Sequence, residues 1–159
     1  MELSPPLKLT VPSLWDLLGD LRQQIYSHLK EVDDDAREAA VMAASELIEN
    51  AIKYGRSAKD ALPASLILEC TDVIKLTITS SIRSAEAARQ TLDRIEAINR
   101  APDRLALYES RMEELMAKPF KGSSSQLGLL RIAGEGNFEL HAEMVGADML
   151  RITATRSLK

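Results

Sequence analysis

From residue 46 to residue 54 the chain reads Glu46-Leu47-Ile48-Glu49-Asn50-Ala51-Ile52-Lys53-Tyr54. These residues end an alanine-rich stretch that begins at Ala36 and follows three aspartates, a composition that favours a helix with acidic residues at its start. At about 100° per residue, Glu46, Asn50 and Lys53 fall within an arc of roughly 60°. The apolar side chains centre on nearly the opposite side: Ala40, Ala44, Leu47, Ile48 and Ala51. The pattern predicts a helix that packs on a sheet and turns one polar stripe away from it.

Other elements are predicted on both sides of this helix. Alternating apolar and polar residues predict strands at Leu7 to Val11, Leu66 to Cys70, Ile74 to Ile78, Phe138 to Met144 and Met149 to Thr155. Helical spacing and capping residues predict four further helices: Leu14 to Val32, one starting after Ser84, one starting after Asp103, and Gln126 to Ala133. Because the strands come in antiparallel pairs, the order favours an α/β (α+β) two-layer sandwich. Its sheet is expected to be mixed and mostly antiparallel, with helices on one face, in one domain spanning residues 1–159.

Composition narrows the possible functions. With 45% hydrophobic and 28% charged residues, the 159-residue chain has the usage of a folded domain rather than a disordered one. A net charge of -4 provides no broad positive field, so we expect no nucleic-acid partner. No stretch approaches the ~20 apolar residues of a spanning helix, and no signal peptide is evident, so we expect no membrane partner and a cytoplasmic location. One cysteine and two distant histidines lack metal-ligand spacing, which disfavours a structural zinc site.

The stretch from Glu46 to Tyr54 resembles the N-box of the histidine-kinase-like ATPase superfamily, whose domain is also called the Bergerat fold. The predicted order of elements is similar to that family over nearly the whole chain, and most similar to its anti-sigma-factor serine kinases and partner-switching regulators. The resemblance implies that Asn50 orients the Mg²⁺ bound to the triphosphate of ATP and that Lys53 approaches the phosphates. It also implies that Glu46 is the general base of phosphoryl transfer, a role that suits a carboxylate near a hydroxyl.

A second stretch resembles the last glycine box of that family, where a lid meets a helix N-terminus. Backbone N–H groups at such a helix end suit phosphate. The resemblance implies nucleotide contacts from Lys121, Gly122, Ser123, Ser124, Ser125, Gln126, Leu127 and Gly128. Taken alone, the stretch is explained equally well as an ordinary Gly/Ser loop that caps a helix.

The chain departs from the family after its second central strand. The family has an Asp-x-Gly-x-Gly motif there, whose aspartate accepts a hydrogen bond from the adenine amino group. This sequence reads Thr79-Ser80-Ser81-Ile82-Arg83-Ser84. Ser80 or Ser81 is therefore expected to bind adenine, directly or through water, although a hydroxyl is a weaker acceptor than a carboxylate.

Two functions of different classes follow from these residues. The resemblance implies a signalling switch protein that binds ATP and Mg²⁺ and phosphorylates a serine or threonine of a small regulatory protein or a sigma-factor-type partner. The alternative is a degenerate pseudo-kinase that regulates its partner by binding alone, which the missing aspartate and glycines favour. A third possibility is a homodimer formed through an apolar stripe on the first helix: Leu14, Leu18, Leu21 and Ile25.

Overall fold

The computed structural model describes residues 5–11, 14–54, 64–117 and 125–158. Within these ranges the chain forms five helices and five strands in the predicted order. Their bounds are β1 (Leu7–Val11), α1 (Leu14–His28), α2 (Asp34–Tyr54), β2 (Ala64–Cys70), β3 (Val73–Ser81), α3 (Ala85–Arg100), α4 (Arg104–Ala117), α5 (Ser125–Gly134), β4 (Glu139–Val145) and β5 (Met149–Ser157). No helix among the described residues is both long and apolar enough to cross a membrane.

The five strands form one sheet in the order β1-β2-β3-β5-β4. All pairings between the described strands are antiparallel, so this sheet is antiparallel throughout rather than mixed. Its register places apolar residues side by side, for example Leu66 beside Ile78 and Leu76 beside Ala154. The α+β class predicted from the sequence is thereby confirmed.

One face of the sheet supplies the core. Leu66, Leu76 and Ile78 are at most 1% exposed, whereas Thr77 and Thr153 on the opposite face stay partly exposed. The apolar side of α2 covers the buried face with fully buried side chains: Ala40, Ala43, Ala44, Leu47 and Ile48. The described helices therefore cover one face of the sheet, as a two-layer sandwich requires.

The stripe proposed as a dimer face on α1 belongs to the interior of the chain. Leu21 and Ile25 are 1% and 0% exposed and lie in the same core cluster as α2. The side chains of Leu14 and Leu18 are not among those described. Since Leu21 and Ile25 are already buried within the chain, these two residues do not form an intersubunit face. Helix α1 also ends at His28, before the predicted end at Val32.

Side chains cap three helices, including the two predicted to start after Ser84 and Asp103. Asp33 Oδ2 accepts a hydrogen bond from the Ala36 N–H, 3.2 Å away, at the start of α2. Ser84 is the N-cap of α3, and Asp103 Oδ1 accepts from the Ala106 N–H at the start of α4. These bonds satisfy backbone donors that have no partner within their own helix.

Helix α4 differs from the others because it has no buried residue. It packs mainly on α5, and its apolar residues Leu105 and Met116 are 46% and 78% exposed. The close approach of the two helices depends on Gly134. A Cβ at this position would lie 2.8 Å from the carbonyl oxygen of Arg104 and 2.9 Å from the Cβ of Tyr108.

Candidate functional site

Helices α2 and α5 bring the two predicted motifs together. A Cβ at Gly128 would lie 2.7 Å from Glu46 Oε2, and a Cβ at Gly136, just after α5, would lie 2.7 Å from Met42 Cε. Residues later in one helix thus contact residues earlier in the other, so the two helices run antiparallel. The N-terminus of α5 consequently lies toward the part of α2 that carries Asn50.

The Glu46 carboxylate lies between the two helices and is paired with a cation. Its side chain is only 20% exposed, and its Oε1 accepts a hydrogen bond from Arg131 Nη1 at 3.3 Å. The same guanidinium donates from Nε to Glu135 Oε2 at 3.0 Å. The hydrogen bond to Glu135, and to a smaller extent the pairing with Glu46, raise the pKa of Arg131, so the guanidinium remains charged.

Tyr108 extends this arrangement to α4. Burial raises the pKa of the Tyr108 hydroxyl, and the charge of Glu135 and a hydrogen bond to Glu135 raise it further, while the Arg131 charge opposes the shift. We call Glu46, Arg131, Glu135 and Tyr108 the polar cluster. It joins α2, α5 and α4 through adjacent charged and hydrogen-bonding groups.

A small cavity lies beside Asn50, one helical turn beyond Glu46 on α2. The Asn50 side chain is 9% exposed, and no described residue hydrogen-bonds to its amide. The cavity volume is about 20 Å³, room for about one water molecule. Its walls come from α2, β3, α3 and β5: Leu47, Asn50, Ala51, Ile78, Ser80, Ser81, Ile82, Ala87, Ala88, Thr91, Leu150 and Ile152.

The position of Asn50 corrects one sequence prediction. Helical spacing placed Glu46, Asn50 and Lys53 on a stripe directed away from the sheet, but Asn50 lines the cavity together with Ile78 and Ser80 of β3. The prediction failed because the residue spacing within α2 carries no information about the helices that pack on either side of it. With α3 and α5 also packed nearby, a side face of α2 becomes an interior surface.

The other predicted residues fall into three groups. Ser80 and Ser81 line the cavity, Ser81 being 5% exposed, and Gly128 contacts Glu46. Lys53 lies in the last turn of α2 and Ser125 and Gln126 begin α5, but their side chains are outside the described part; Leu127 is half-buried. The remaining predicted contacts lie outside the described residues: Lys121, Gly122, Ser123 and Ser124.

Sequence reasoning missed Arg131, Glu135, Tyr108 and Thr91. Arg131 and Glu135 follow Gly128 by three and seven residues, a spacing that places them on one face of a helix. That spacing could have identified Arg131 as a residue near Gly128. Tyr108 gave no comparable signal, because its contact depends on how α4 packs against α5.

The donors around Asn50 limit how Mg²⁺ could be held. Among the described residues no group of three or more His, Cys, Asp or Glu side chains could hold a metal ion. Asn50 supplies a single amide oxygen, a hard ligand. This fits a Mg²⁺ ion that takes its remaining ligands from phosphates and water, and it does not fit a cage made of protein carboxylates.

The architecture is similar to that of a chain in the crystal structure of the SiaB-SiaC complex from Pseudomonas aeruginosa. The TM-score is 0.72 at 12% sequence identity, and the match covers 94% of this chain and 88% of that chain. At this identity the likeness shows the fold alone. The sequence matches no protein-family model and no curated protein.

Proposed function

We propose that this protein is a signalling regulator that binds MgATP at α2, α5 and β3 and phosphorylates a serine or threonine of a small partner protein. The observation that carries the proposal is the convergence of residues from distant parts of the chain. Glu46 contacts Gly128, and one turn farther along α2 the buried Asn50 shares a cavity with Ser80 and Ser81. A polar, partly buried set of this kind is typical of a ligand site.

Each of these groups has a role in the proposed reaction. The partner hydroxyl oxygen bonds to the γ-phosphorus as the bond from that phosphorus to the ADP oxygen breaks, and Glu46 accepts the hydroxyl proton. The N–H groups at the start of α5 donate to phosphate oxygens. Asn50 would hold Mg²⁺ carried by the triphosphate, and that ion supplies charge neutralisation. Most of the catalytic effect would come from positioning and electrostatics.

Adenine is assigned to the cavity beside Ser80 and Ser81. The Ser81 hydroxyl donates to Met149 Sδ at 3.6 Å in the structure, so a hydrogen bond from it to the ring requires this contact to be exchanged. A purine ring is much larger than a cavity of about 20 Å³. Its entry therefore requires α3, which supplies Ala87, Ala88 and Thr91 to the wall, to move outward. Binding of nucleotide is expected to be coupled to this displacement and to be weaker than in a preformed site.

The second candidate is a regulator that binds its partner without nucleotide chemistry. Two observations favour it: the cavity has room for only about one water molecule, and Ser80 and Ser81 stand where a carboxylate would be the stronger acceptor. The structurally similar chain comes from a complex of two proteins, which supports a protein partner under either candidate.

Calorimetric titration of MgATP into the purified protein separates the candidates. We expect saturable binding that Asn50→Ala removes. Asn99→Ala is the matched control, because the Asn99 amide donates to the Leu140 carbonyl oxygen away from the cavity. Absence of binding at millimolar MgATP, in a protein that is folded by circular dichroism, would exclude the kinase and leave the binding regulator.

Catalysis needs a separate test. Glu46→Gln keeps the shape of the side chain but removes its ability to accept a proton. We expect the wild-type protein to hydrolyse MgATP slowly even without a partner, and we expect this variant to bind MgATP and to release little or no phosphate from it. Equal phosphate release by the two proteins would show that Glu46 is not the base.

A further inference from the structure

The Glu46–Arg131 salt bridge occupies the place where the proposed chemistry happens. Arg131 is 41% exposed and Glu46 is 20% exposed, so the pair is neither buried nor fully solvated. Ion pairs in such positions contribute little to stability. As long as the bridge is formed, however, the carboxylate assigned as base is already engaged with a cation.

The placement of Arg131 brings its side chain near the phosphate end of the site. Arg131 Nη1 lies 3.3 Å from Glu46 Oε1, and the other oxygen of that carboxylate lies beside Gly128, one turn closer to the start of α5. A guanidinium presents five N–H donors in a planar fork that matches the oxygens of phosphate.

We propose that Arg131 is a phosphate-binding residue whose resting partner is the Glu46 carboxylate. When the terminal phosphate of MgATP enters, Arg131 exchanges the Glu46 carboxylate oxygen for a phosphate oxygen. No covalent bond changes in this exchange. The inference rests on the proposed MgATP function and adds to it a residue that pairs with Glu46 at rest and with the terminal phosphate when nucleotide is bound.

Glu135 makes the exchange geometrically simple. It holds Nε of Arg131 at 3.0 Å, while Glu46 is bound by Nη1 at 3.3 Å. The guanidinium can therefore stay anchored on Glu135 and redirect its outer nitrogens. The exchange is favourable because a triphosphate carries more negative charge than one carboxylate and attracts the cation more strongly.

Two substitutions that should change MgATP affinity in opposite directions test the proposal. Arg131→Gln should weaken MgATP binding about tenfold in calorimetry, through loss of a charged hydrogen bond to phosphate. Glu46→Gln should strengthen it about two- to fivefold, because the carboxylate no longer competes for Arg131. The double variant should bind like Arg131→Gln alone. A bridge with a purely structural role would instead weaken binding in both single variants or in neither.

A second ion pair supplies matched controls. Arg151 is also 41% exposed and donates to Glu143 at 3.1 Å across β5 and β4. Arg151→Gln and Glu143→Gln should leave MgATP affinity unchanged. Arg131→Lys keeps the positive charge but lacks the planar guanidinium, so it should bind MgATP with intermediate affinity. This variant tests the proposal even if Arg131→Gln unfolds.

The outcomes distinguish this inference from the function on which it rests. If the wild-type protein does not bind MgATP, the proposed function fails and the inference fails with it. If the wild type binds but folded Arg131→Gln binds equally well, or Glu46→Gln binds more weakly, the inference alone is overturned. Increased affinity in Glu46→Gln that disappears in the double variant supports it.

Discussion

The Glu46 carboxylate occupies the space that a side chain at Gly128 would need. The distance from a Cβ at residue 128 to Glu46 Oε2 would be 2.7 Å, and to Glu46 Cβ 3.9 Å. The absence of a side chain at Gly128 therefore allows α5 to approach α2 and keeps the carboxylate within reach of Arg131. A substitution at Gly128 can therefore change two properties that are measured separately, the stability of the protein and the position of the Glu46 carboxylate.

Gly128→Ala should move the carboxylate without unfolding the protein. Alanine in a helix gains about 1 kcal/mol over glycine, and the atom it meets is the far end of a flexible side chain that can rotate away. We expect the free energy of unfolding, measured with urea, to stay equal or rise by up to about 1 kcal/mol. Phosphate release from MgATP should fall. A loss of more than about 2 kcal/mol would show that Glu46 cannot move aside.

Gly134→Ala should destabilise the protein, in contrast to the change at Gly128. A Cβ here meets backbone: the Arg104 carbonyl oxygen at 2.8 Å and Leu105 Cα at 3.2 Å. Backbone atoms cannot rotate away, so α4 must separate from α5. We expect a cost of about 1–3 kcal/mol in urea denaturation. Gly146→Ala is the comparison, since a Cβ there meets nothing within 4 Å and only its positive φ is strained.

Tyr108 should make stability depend on alkaline pH. Its pKa in the folded protein lies above the ordinary value of 10.0, because burial and then Glu135 disfavour the phenolate. The folded state retains this proton longer than the unfolded state, so the associated stability is present below about pH 10 and lost as pH rises through the folded-state pKa. Urea denaturation between pH 8 and 11 should show wild type losing stability faster than Tyr108→Phe.

The difference in stability between wild type and Tyr108→Phe can also be predicted at neutral pH. Tyr108→Phe also removes the interaction of the hydroxyl with Glu135 and should be less stable there by about 0.5–1.5 kcal/mol. Its deficit should therefore shrink toward pH 11. A deficit that stays constant or grows would refute the pH dependence. Tyr26→Phe, on α1, serves as the control for a tyrosine outside the polar cluster.

Ala87→Val tests whether the cavity beside Asn50 receives a ligand. Ala87 is half-buried in its wall, and two added methyl groups are large enough to fill the cavity. We expect MgATP affinity to fall at least tenfold, with a stability change below about 1 kcal/mol from the lower helix propensity of valine. Unchanged affinity would place adenine elsewhere.

Ala106→Val is a close control for that substitution. Ala87 and Ala106 are each the third residue of their helix, and their N–H groups donate to the capping residues Ser84 and Asp103 at 3.1 and 3.0 Å. Ala106 is exposed on α4 and does not line the cavity. Both variants therefore lose helix propensity to the same extent, but only Ala87→Val fills the cavity.

Local chemistry made much of the fold predictable. The order of helices and strands and the caps at Ser84 and Asp103 follow from residues close together in sequence. Alternation with period two and helical spacing depend on the backbone geometry of each element alone. The ends of elements were less predictable: α1 stops at His28, because a helix end also depends on the packing of the next segment.

The sequence by itself determined the elements, the α+β class and the candidate pair Glu46 and Asn50. The tertiary structure alone decided that Asn50 is buried in a cavity, that Leu105 and Met116 of α4 stay exposed, and that Glu46 is paired with Arg131. The physical reason is distance along the chain. Residues 85 positions apart meet only after helices pack on the sheet, and no periodicity within one helix encodes which neighbour its sides will meet.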